Sequence, residues 1–179
     1  MAGENLLDGI KTAVSSGHLV IRNENHCDWL RSFEVPVNVY IIFTRLDTIV
    51  TSAAGNLTFT NAWRNDSIQF NVEEGAGKID LKLDVFKSWV YIQYGVTDVV
   101  MSGRSQVSFF SNNGYGPVNA LDLVTNYTYM STQSPNDCFV YVEGELGVTI
   151  NNIGNVYYKG SPGKIDQQLN SSGKLIHLE

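Results

Sequence analysis

The sequence is poor in cysteine and proline, with two cysteines and four prolines among 179 residues. Cys27 and Cys138 are widely separated and match no spacing of metal ligands, so no cysteine-based metal site is predicted. Cys138 falls on an inward position of the repeat described below, and we expect it to be a buried, small apolar side chain. Whether the two cysteines form a disulfide stays open.

Positive charge is also scarce. Twelve Lys and Arg against eighteen Asp and Glu give a net charge of −6, and the basic residues are scattered along the chain. Nucleic acids and anionic membranes require a basic stripe, so neither is predicted as a partner.

Long apolar runs are missing as well. The longest unbroken runs, such as Val39 to Phe43, are far shorter than the roughly 18 residues that a membrane-spanning helix needs, so no transmembrane segment is predicted. The first thirty residues lack the basic start and apolar stretch of a secretory signal, and export cannot be inferred from them.

Glycine and aromatic residues are plentiful, with sixteen Gly, nine Tyr, eight Phe and three Trp. This composition is typical of many short strands joined by tight turns, and it predicts an all-β protein. Turn-like residues recur at intervals of about 20 residues. They are Gly55, Gly77, Thr97, Gly116, Asn136, Gly154 and Gly173.

Each turn-like residue is followed by the same short pattern, in which the second and fourth positions are hydrophobic. His177 is the one exception. The pairs are Leu57/Phe59, Ile79/Leu81, Val99/Met101, Val118/Ala120, Cys138/Val140, Val156/Tyr158 and Leu175/His177. One turn marker per repeat, rather than one at every strand reversal, favours a solenoid over a series of hairpins.

The repeat therefore predicts a single-stranded parallel β-helix, or β-solenoid, of about seven rungs of about 20 residues, where a rung is one winding of the chain. We assign residues 36–177 to the solenoid and residues 1–35 to a lead-in or cap in which only His18 to Arg22 resembles a strand. Residues 178–179 are either the native end or the start of a vector-derived tail. Both ends of a solenoid expose strand edges, so a homo-oligomer through these ends is a further hypothesis.

Strand-like runs alternate with turn clusters from Pro36 onward. The predicted strands are 37–43, 57–60, 67–72, 79–83, 89–94, 99–101, 106–110, 118–123, 127–130, 139–142, 148–150 and 156–158. The polar residue after each turn is expected to face water.

The closing stretch Gly154 to Pro162, followed by Ser172 to Leu175, resembles the end of the head GIN domain family of auto-transporter adhesins. Segments near the start (2–7, 19–23 and 27–31) and middle rungs (75–81 and 96–103) are similar to that family too. The resemblance implies a right-handed parallel β-helix exported to a bacterial envelope or surface. The chain departs from the family pattern at Val96-Thr97 and Asn136, and the strands that the family has before Ala2 are absent, which suggests a fragment.

Catalytic chemistry is not predicted, and neither a metal site nor a cofactor is expected. Solvated acids after turns, among them Asp80, Asp84, Asp98 and Asp122, are what solubility alone produces, although a stacked Asp80 and Asp98 pair is conceivable. The three histidines, His18, His26 and His177, are too far apart in sequence to suggest a metal triad or a Ser-His-Asp arrangement.

Aromatic residues are the candidates for binding, because exposed rings on a flat β-face stack on sugars or grip a protein. The set comprises Trp63, Trp89, Tyr91, Tyr115, Tyr127 and Tyr129. Trp63 and Tyr115 are predicted to be exposed. For the stretch from Trp89 to Tyr94 the alternation leaves open whether Trp89 and Tyr91 or Val90 and Ile92 point inward.

Three functions follow from these observations. The first is a noncatalytic envelope or surface solenoid that binds a protein or glycan through a strand face. The second is a structural or assembly module without a ligand, and the third is a carbohydrate-active enzyme. We prefer the first, with Trp63, Trp89, Tyr91 and Tyr115 as candidate binding residues.

Overall fold

The computed structural model describes residues 7–25 and 37–179, which belong to two units, Met1–Thr44 and Arg45–Glu179. The boundary predicted between residues 35 and 36 lies outside the described residues and stays a prediction. The same holds for the placement of Cys27 and His26.

The described part of the first unit contains a β-hairpin. Strands β1 (Ile10–Ser15) and β2 (His18–Asn23) pair antiparallel, and the two-residue loop Ser16-Gly17 has positive φ at both positions, 51° and 78°. That backbone is the one that two-residue hairpins prefer, because its twist matches the twist of the strands. The predicted strand from His18 to Arg22 is confirmed, whereas β1 was not predicted.

The segment from Val37 to Phe43 is not a strand, so that prediction is wrong. The side chains of Tyr40 and Ile42 are exposed rather than packed. An apolar run forms a strand only where a neighbouring strand pairs with its backbone, and apolar composition alone does not supply that partner.

The second unit is a parallel β-solenoid. Every strand pairing among its described residues is parallel and joins one rung to the next. The strands are β3 (Thr48–Thr51), β4 (Leu57–Thr58), β5 (Trp63–Val72), β6 (Ala76–Ile92), β7 (Val96–Asn112), β8 (Val118–Thr132), β9 (Cys138–Ile150), β10 (Val156–Lys159), β11 (Lys164–Leu169) and β12 (Leu175–His177). The predicted all-β solenoid is thereby confirmed, with about six turns. The sequence repeat has seven members, and the chain makes six windings between the first and the last of them. This accounts for the difference from the predicted seven rungs.

The sequence repeat matches the strand register. The first apolar position after each turn pairs with its equivalent on the next rung through the whole solenoid. This inner column consists of Leu57, Ile79, Val99, Val118, Cys138, Val156 and Leu175. Cys138 is fully buried, as predicted. Its thiol is free.

The long strands β6 to β9 each turn a corner. At the corner, the alternating set of residues that points into the core shifts by one position. In β6 the buried residues are Ile79, Leu81, Leu83 and Val85 before the corner, and Ser88, Val90 and Ile92 after it. Two consecutive residues, Phe86 and Lys87, point outward between the two sets. A strict alternation breaks at this point, which explains why the sequence predicted two strands where the structure has one.

Inward positions just after the corners carry hydroxyl groups. Ser88 and Ser108 are fully buried, and their Oγ atoms lie 2.8 Å apart. Thr128 continues the same column on the next rung and its Oγ1 lies 2.6 Å from Thr125 Oγ1. Pairing among these hydroxyls satisfies polar groups that would otherwise be costly to bury.

The turn residues stack along one edge, as the repeat predicts. Glycine is favoured there mainly because successive turns approach closely: a Cβ added to Gly116 would lie 1.8 Å from the carbonyl oxygen of Thr97, and one added to Gly173 would lie 2.3 Å from that of Gly154. Of the described turn markers only Gly77 has a positive φ, 117°. Backbone angle is therefore not what favours glycine at most of these turns.

Candidate binding face

Three aromatic rings stack on the outside of the solenoid, one on each of three successive rungs. Trp89 pairs in register with Phe109, and Phe109 with Tyr129. The ring centroids of Trp89 and Phe109 lie 5.9 Å apart with a 10° angle between the planes, and those of Phe109 and Tyr129 lie 5.4 Å apart at 19°. We refer to these three residues as the aromatic column.

The corner in each long strand sets the outward direction of this column. Because the inward side changes at Phe86 and Lys87, Val90 and Ile92 enter the core, and Trp89 and Tyr91 therefore face outward. Phe110 and Met130 are likewise buried, which places Phe109 and Tyr129 on the same outer face.

The column stops after Tyr129, because the next residue in register is Gly147 and the one after it is Asp166. A glycine has no side chain to continue the stack, and the surface falls away into an open hollow of about 550 Å³. The hollow is lined on this side by Phe109, Tyr129, Gly147 and Asp166.

One flank of the hollow carries hydroxyl and amide groups. Ser111, Ser131, Thr149 and Gln168 occupy equivalent positions on four successive rungs, and all four line the hollow. We call these four residues the hydroxyl column. Tyr91 stands at the head of the same column, next to Ser111.

The other flank carries a charged network that reaches the aromatic column. The hydroxyl of Tyr129 donates to Glu145 Oε1 at 3.4 Å, and Lys164 Nζ lies 3.2 Å from Glu145 Oε1 and 2.7 Å from Asp166 Oδ2. Partial desolvation, followed by the charge of Glu145, raises the pKa of Tyr129. The hydrogen bond with Asp166, followed by that with Glu145, raises the pKa of Lys164. At neutral pH the face therefore presents a protonated tyrosine and a cationic lysine.

Comparison with known proteins agrees with this architecture. A family model described as "Putative auto-transporter adhesin, head GIN domain" matches residues 1–162. The chain belongs to the head GIN domain family. The description of this family indicates a surface or exported location.

Solved structures similar to this head GIN domain share its fold at low sequence identity. A "putative adhesin" from Bacteroides fragilis has a TM-score of 0.83 and 20% identity over 98% of this chain and 79% of its own. A "putative lipid binding protein" from Parabacteroides distasonis has a TM-score of 0.72 and 19% identity over 98% and 81% of the two chains. A "putative adhesin" from Parabacteroides merdae has a TM-score of 0.57 and 14% identity over 98% and 80%. No curated protein matches the sequence.

The four predicted binding candidates do not form one site. Trp89 and Tyr91 lie side by side on the outer face of the head GIN domain, one in the aromatic column and one at the head of the hydroxyl column. Tyr115 is 61% exposed but lies in a turn and does not line the hollow. Trp63 is half-buried and packs against the core, so the prediction that it is exposed is wrong.

Phe109, Gly147 and the hydroxyl column were not identified from the sequence. The interval of twenty residues between Trp89, Phe109 and Tyr129 equals the repeat length and was the signal available for the stack. Gly147 carries no such signal, because a glycine in a repeat protein is first interpreted as a turn.

Asp80 and Asp98 do not stack directly on one another. Asp80 pairs in register with Val100, and Asp98 with Lys78, so the conceivable stack of Asp80 on Asp98 is wrong. Asp80 Oδ2 lies 3.5 Å from Lys78 Nζ, a surface ion pair. Within residues 7–25 and 37–179, no cluster of three His, Cys, Asp or Glu side chains is arranged to hold a metal ion. The described residues also contain no helix long and apolar enough to cross a bilayer.

Proposed function

We propose that this head GIN domain is a noncatalytic module of the cell envelope or outer surface that holds a protein or glycan ligand against the face formed by the aromatic and hydroxyl columns. The observation that carries the proposal is the aromatic column, three stacked rings that stay outside the core beside an open hollow. Exposed, contiguous aromatic surface rimmed by polar groups is characteristic of interaction sites.

A purely structural role is the alternative, since stacked rings also stabilise neighbouring rungs by about 0.5–1.5 kcal/mol for each pair. The hollow favours binding over structure alone. A stack that served only to hold rungs together would gain from a further ring, yet at Gly147 it ends while the sheet continues through β11.

An enzymatic role is the second alternative. The four acids considered from the sequence, Asp80, Asp84, Asp98 and Asp122, lie in separate columns. Two of them are engaged by cations, Asp80 by Lys78 at 3.5 Å and Asp84 by Arg64 at 3.0 Å. A carbohydrate-active solenoid needs carboxylates that face one another across a substrate, typically at about 5–10 Å. The arrangement of these acids supports the noncatalytic proposal.

Binding of the purified, fluorescently labelled domain to immobilised cell-envelope and host-matrix preparations tests the proposal. Trp89→Ala and Tyr129→Ala should each reduce binding, because each removes a ring from the face. Tyr115→Ala, which removes an exposed ring elsewhere, serves as the matched control and should bind like the parent protein. Equal binding by all four proteins would overturn the assignment of this face and favour the structural alternative.

Surface exposure of the protein is part of the same proposal. Protease treatment of intact producing cells, followed by immunoblotting, should remove the domain, while a cytoplasmic marker stays intact. Survival of the domain until the cells are lysed would contradict a surface location.

We also propose that the end of the solenoid formed by β11 associates with a second copy. Ile165 and Leu169 pair in register with the fully buried Leu146 and Ile150, yet they are 39% and 45% exposed. The inner columns thus continue onto the last rung without a cover, which is the condition under which strand edges associate.

A further inference from the structure

We infer that the hollow beside Tyr129 takes one sugar ring of a neutral polysaccharide. The inference deepens the proposed function, because it names the ligand class for the same face. It rests on three features of the hollow: an unfilled stacking position, two flanks of hydrogen-bonding groups, and the local charge.

The unfilled stacking position lies between Tyr129 and Asp166. These two residues are two rungs apart, with Gly147 between them, and rungs in parallel β-sheets repeat at about 4.8 Å. The backbones of Tyr129 and Asp166 are therefore separated by about twice that spacing. The Tyr129 ring leans over Gly147, so a flat six-membered ring would stack on the side of Tyr129 that faces the open hollow, between that ring and Asp166.

A sugar ring suits this position because its two kinds of surface match the two kinds of surface in the hollow. The C–H face of a pyranose is apolar and packs on an aromatic ring, while its hydroxyl groups project from the ring edge and need hydrogen-bond partners. The ring edge would meet Thr149 and Gln168 on one flank and Asp166 below. A carboxylate accepts hydrogen bonds from two adjacent hydroxyls.

The charges around the hollow select a neutral sugar. Lys164 is engaged by both Glu145 and Asp166, so the network of these three residues carries a net negative charge. The whole chain carries −6 at pH 7. Uronic acids and sulfated sugars would be repelled at short range, and no unpaired cation lines the hollow to attract them.

The length of the face favours a polymer over a single sugar. The hydroxyl column extends along four rungs beside the aromatic column, from Ser111 to Gln168. A polysaccharide can contact this column with further residues, so many weak contacts add up along the chain.

The test is affinity gel electrophoresis of the whole domain in gels containing dextran, mannan or galactan, with alginate and hyaluronan as acidic comparators, together with a glycan array. We expect at least one neutral polysaccharide to retard the protein and the acidic ones not to. Tyr129→Ala should weaken retardation by about tenfold or more, since a lost stacking contact of about 1.4 kcal/mol corresponds to that factor. Tyr115→Ala should behave like the parent protein.

Two further variants separate loss of binding from loss of folding. Gly147→Val displaces the Tyr129 ring on which the sugar would stack and should weaken retardation, and its melting temperature is measured in parallel. Asp166→Asn changes an exposed side chain on the last rung, keeps the shape of the hollow and should weaken retardation without altering the melting temperature. An unchanged affinity in Asp166→Asn and Tyr129→Ala would overturn the inference.

The outcomes also distinguish this inference from the proposed function. If the parent protein binds envelope or matrix preparations through Trp89 and Tyr129 but no neutral glycan retards it or gives an array signal, the sugar inference is wrong and the binding face stands. Preference for alginate or hyaluronan likewise overturns the choice of a neutral ligand. If substitutions on the face change none of these binding signals, both proposals fail.

Discussion

The ring of Tyr129 lies against Gly147 of the next rung so closely that a Cβ added to Gly147 would be 2.8 Å from Tyr129 Cδ1. No φ in the left-handed region constrains this glycine, so space alone requires a small residue there. Gly147 thus ends the aromatic column and leaves room for its last ring, that of Tyr129.

Gly147→Ala is expected to destabilise the domain by about 1–2 kcal/mol, because the added methyl group forces the Tyr129 ring to move. The measurement is urea denaturation followed by circular dichroism. In a Tyr129→Ala background the same substitution should cost much less, since the clashing ring is gone. Equal costs in both backgrounds would show that the Tyr129 ring is not what restricts position 147.

Gly77 and Gly55 are equivalent turn markers with different surroundings. Gly77 has a φ of 117°, and a Cβ there would lie 2.4 Å from the carbonyl oxygen of Gly55, whereas a Cβ on Gly55 meets nothing within 4 Å. We therefore expect Gly77→Ala to cost about 2 kcal/mol or more. Gly55→Ala should be neutral or stabilising by up to about 1 kcal/mol, because alanine restricts the unfolded chain.

Thermal and urea denaturation of the two glycine variants provide the comparison. A cost at Gly55 equal to that at Gly77 would contradict the interpretation, because it would mean that a turn glycine is needed for its position in the repeat rather than for its contacts and backbone angle.

The solenoid was predictable because one column of side chains, from Leu57 to Leu175, repeats with nearly constant spacing and every member is apolar or, in Cys138, behaves as such. Stacking in register follows directly from that repeat. The strand β11 was missed because Ile165 and Leu169 are separated by Asp166, Gln167 and Gln168, a polar stretch without the repeat's alternation.

The candidate site was less accessible to sequence reasoning. Between Trp89 and Ile92 both alternating sets of side chains are bulky. Which set points into the core depends on the corner at Phe86 and Lys87, which is a tertiary feature. The exposure of Trp63 was predicted wrongly for a different reason. Its polar neighbours in the sequence suggested a surface position, but its ring packs against the core.

Cys138 gives a prediction about pH. Burial raises the pKa of the Cys138 thiol, because the charged thiolate is disfavoured inside the solenoid. The neutral thiol thus contributes stability that is fully present below the ordinary thiol pKa of about 8.5 and is lost as pH rises through the higher pKa of the folded state. Cys138→Ala removes this titration, so the stability of the parent protein should fall more steeply above about pH 8.5 than that of the variant.

Chemical labelling checks the burial of the same thiol. In a Cys27→Ser background, where Cys138 is the single thiol, reaction with a disulfide reagent at pH 8 should be slow in the folded protein and fast in denaturant. Rapid labelling of the folded protein would contradict the burial on which the pH prediction depends.

The proposed self-association through β11 implies a specific geometry. The backbone N–H of Asn170 donates to the carbonyl of Ile150, so by alternation the N–H groups of Ile165, Gln167 and Leu169 point away from β9. An antiparallel pairing of two copies centred on Gln167 joins these free groups and places Ile165 opposite Leu169 of the second copy. This arrangement has two-fold symmetry and covers both exposed apolar side chains.

Light scattering coupled to size-exclusion chromatography should therefore show a concentration-dependent dimer. Ile165→Lys and Leu169→Lys should shift the protein to the monomer, because two buried lysines would face apolar partners at the strand edge. Gln168→Lys is the matched control: its side chain lies on the outer face of the same strand, so the dimer should persist. A parent protein that stays monomeric at all concentrations, or a dimer that survives both lysine substitutions in β11, would show that this strand edge is not the contact between copies.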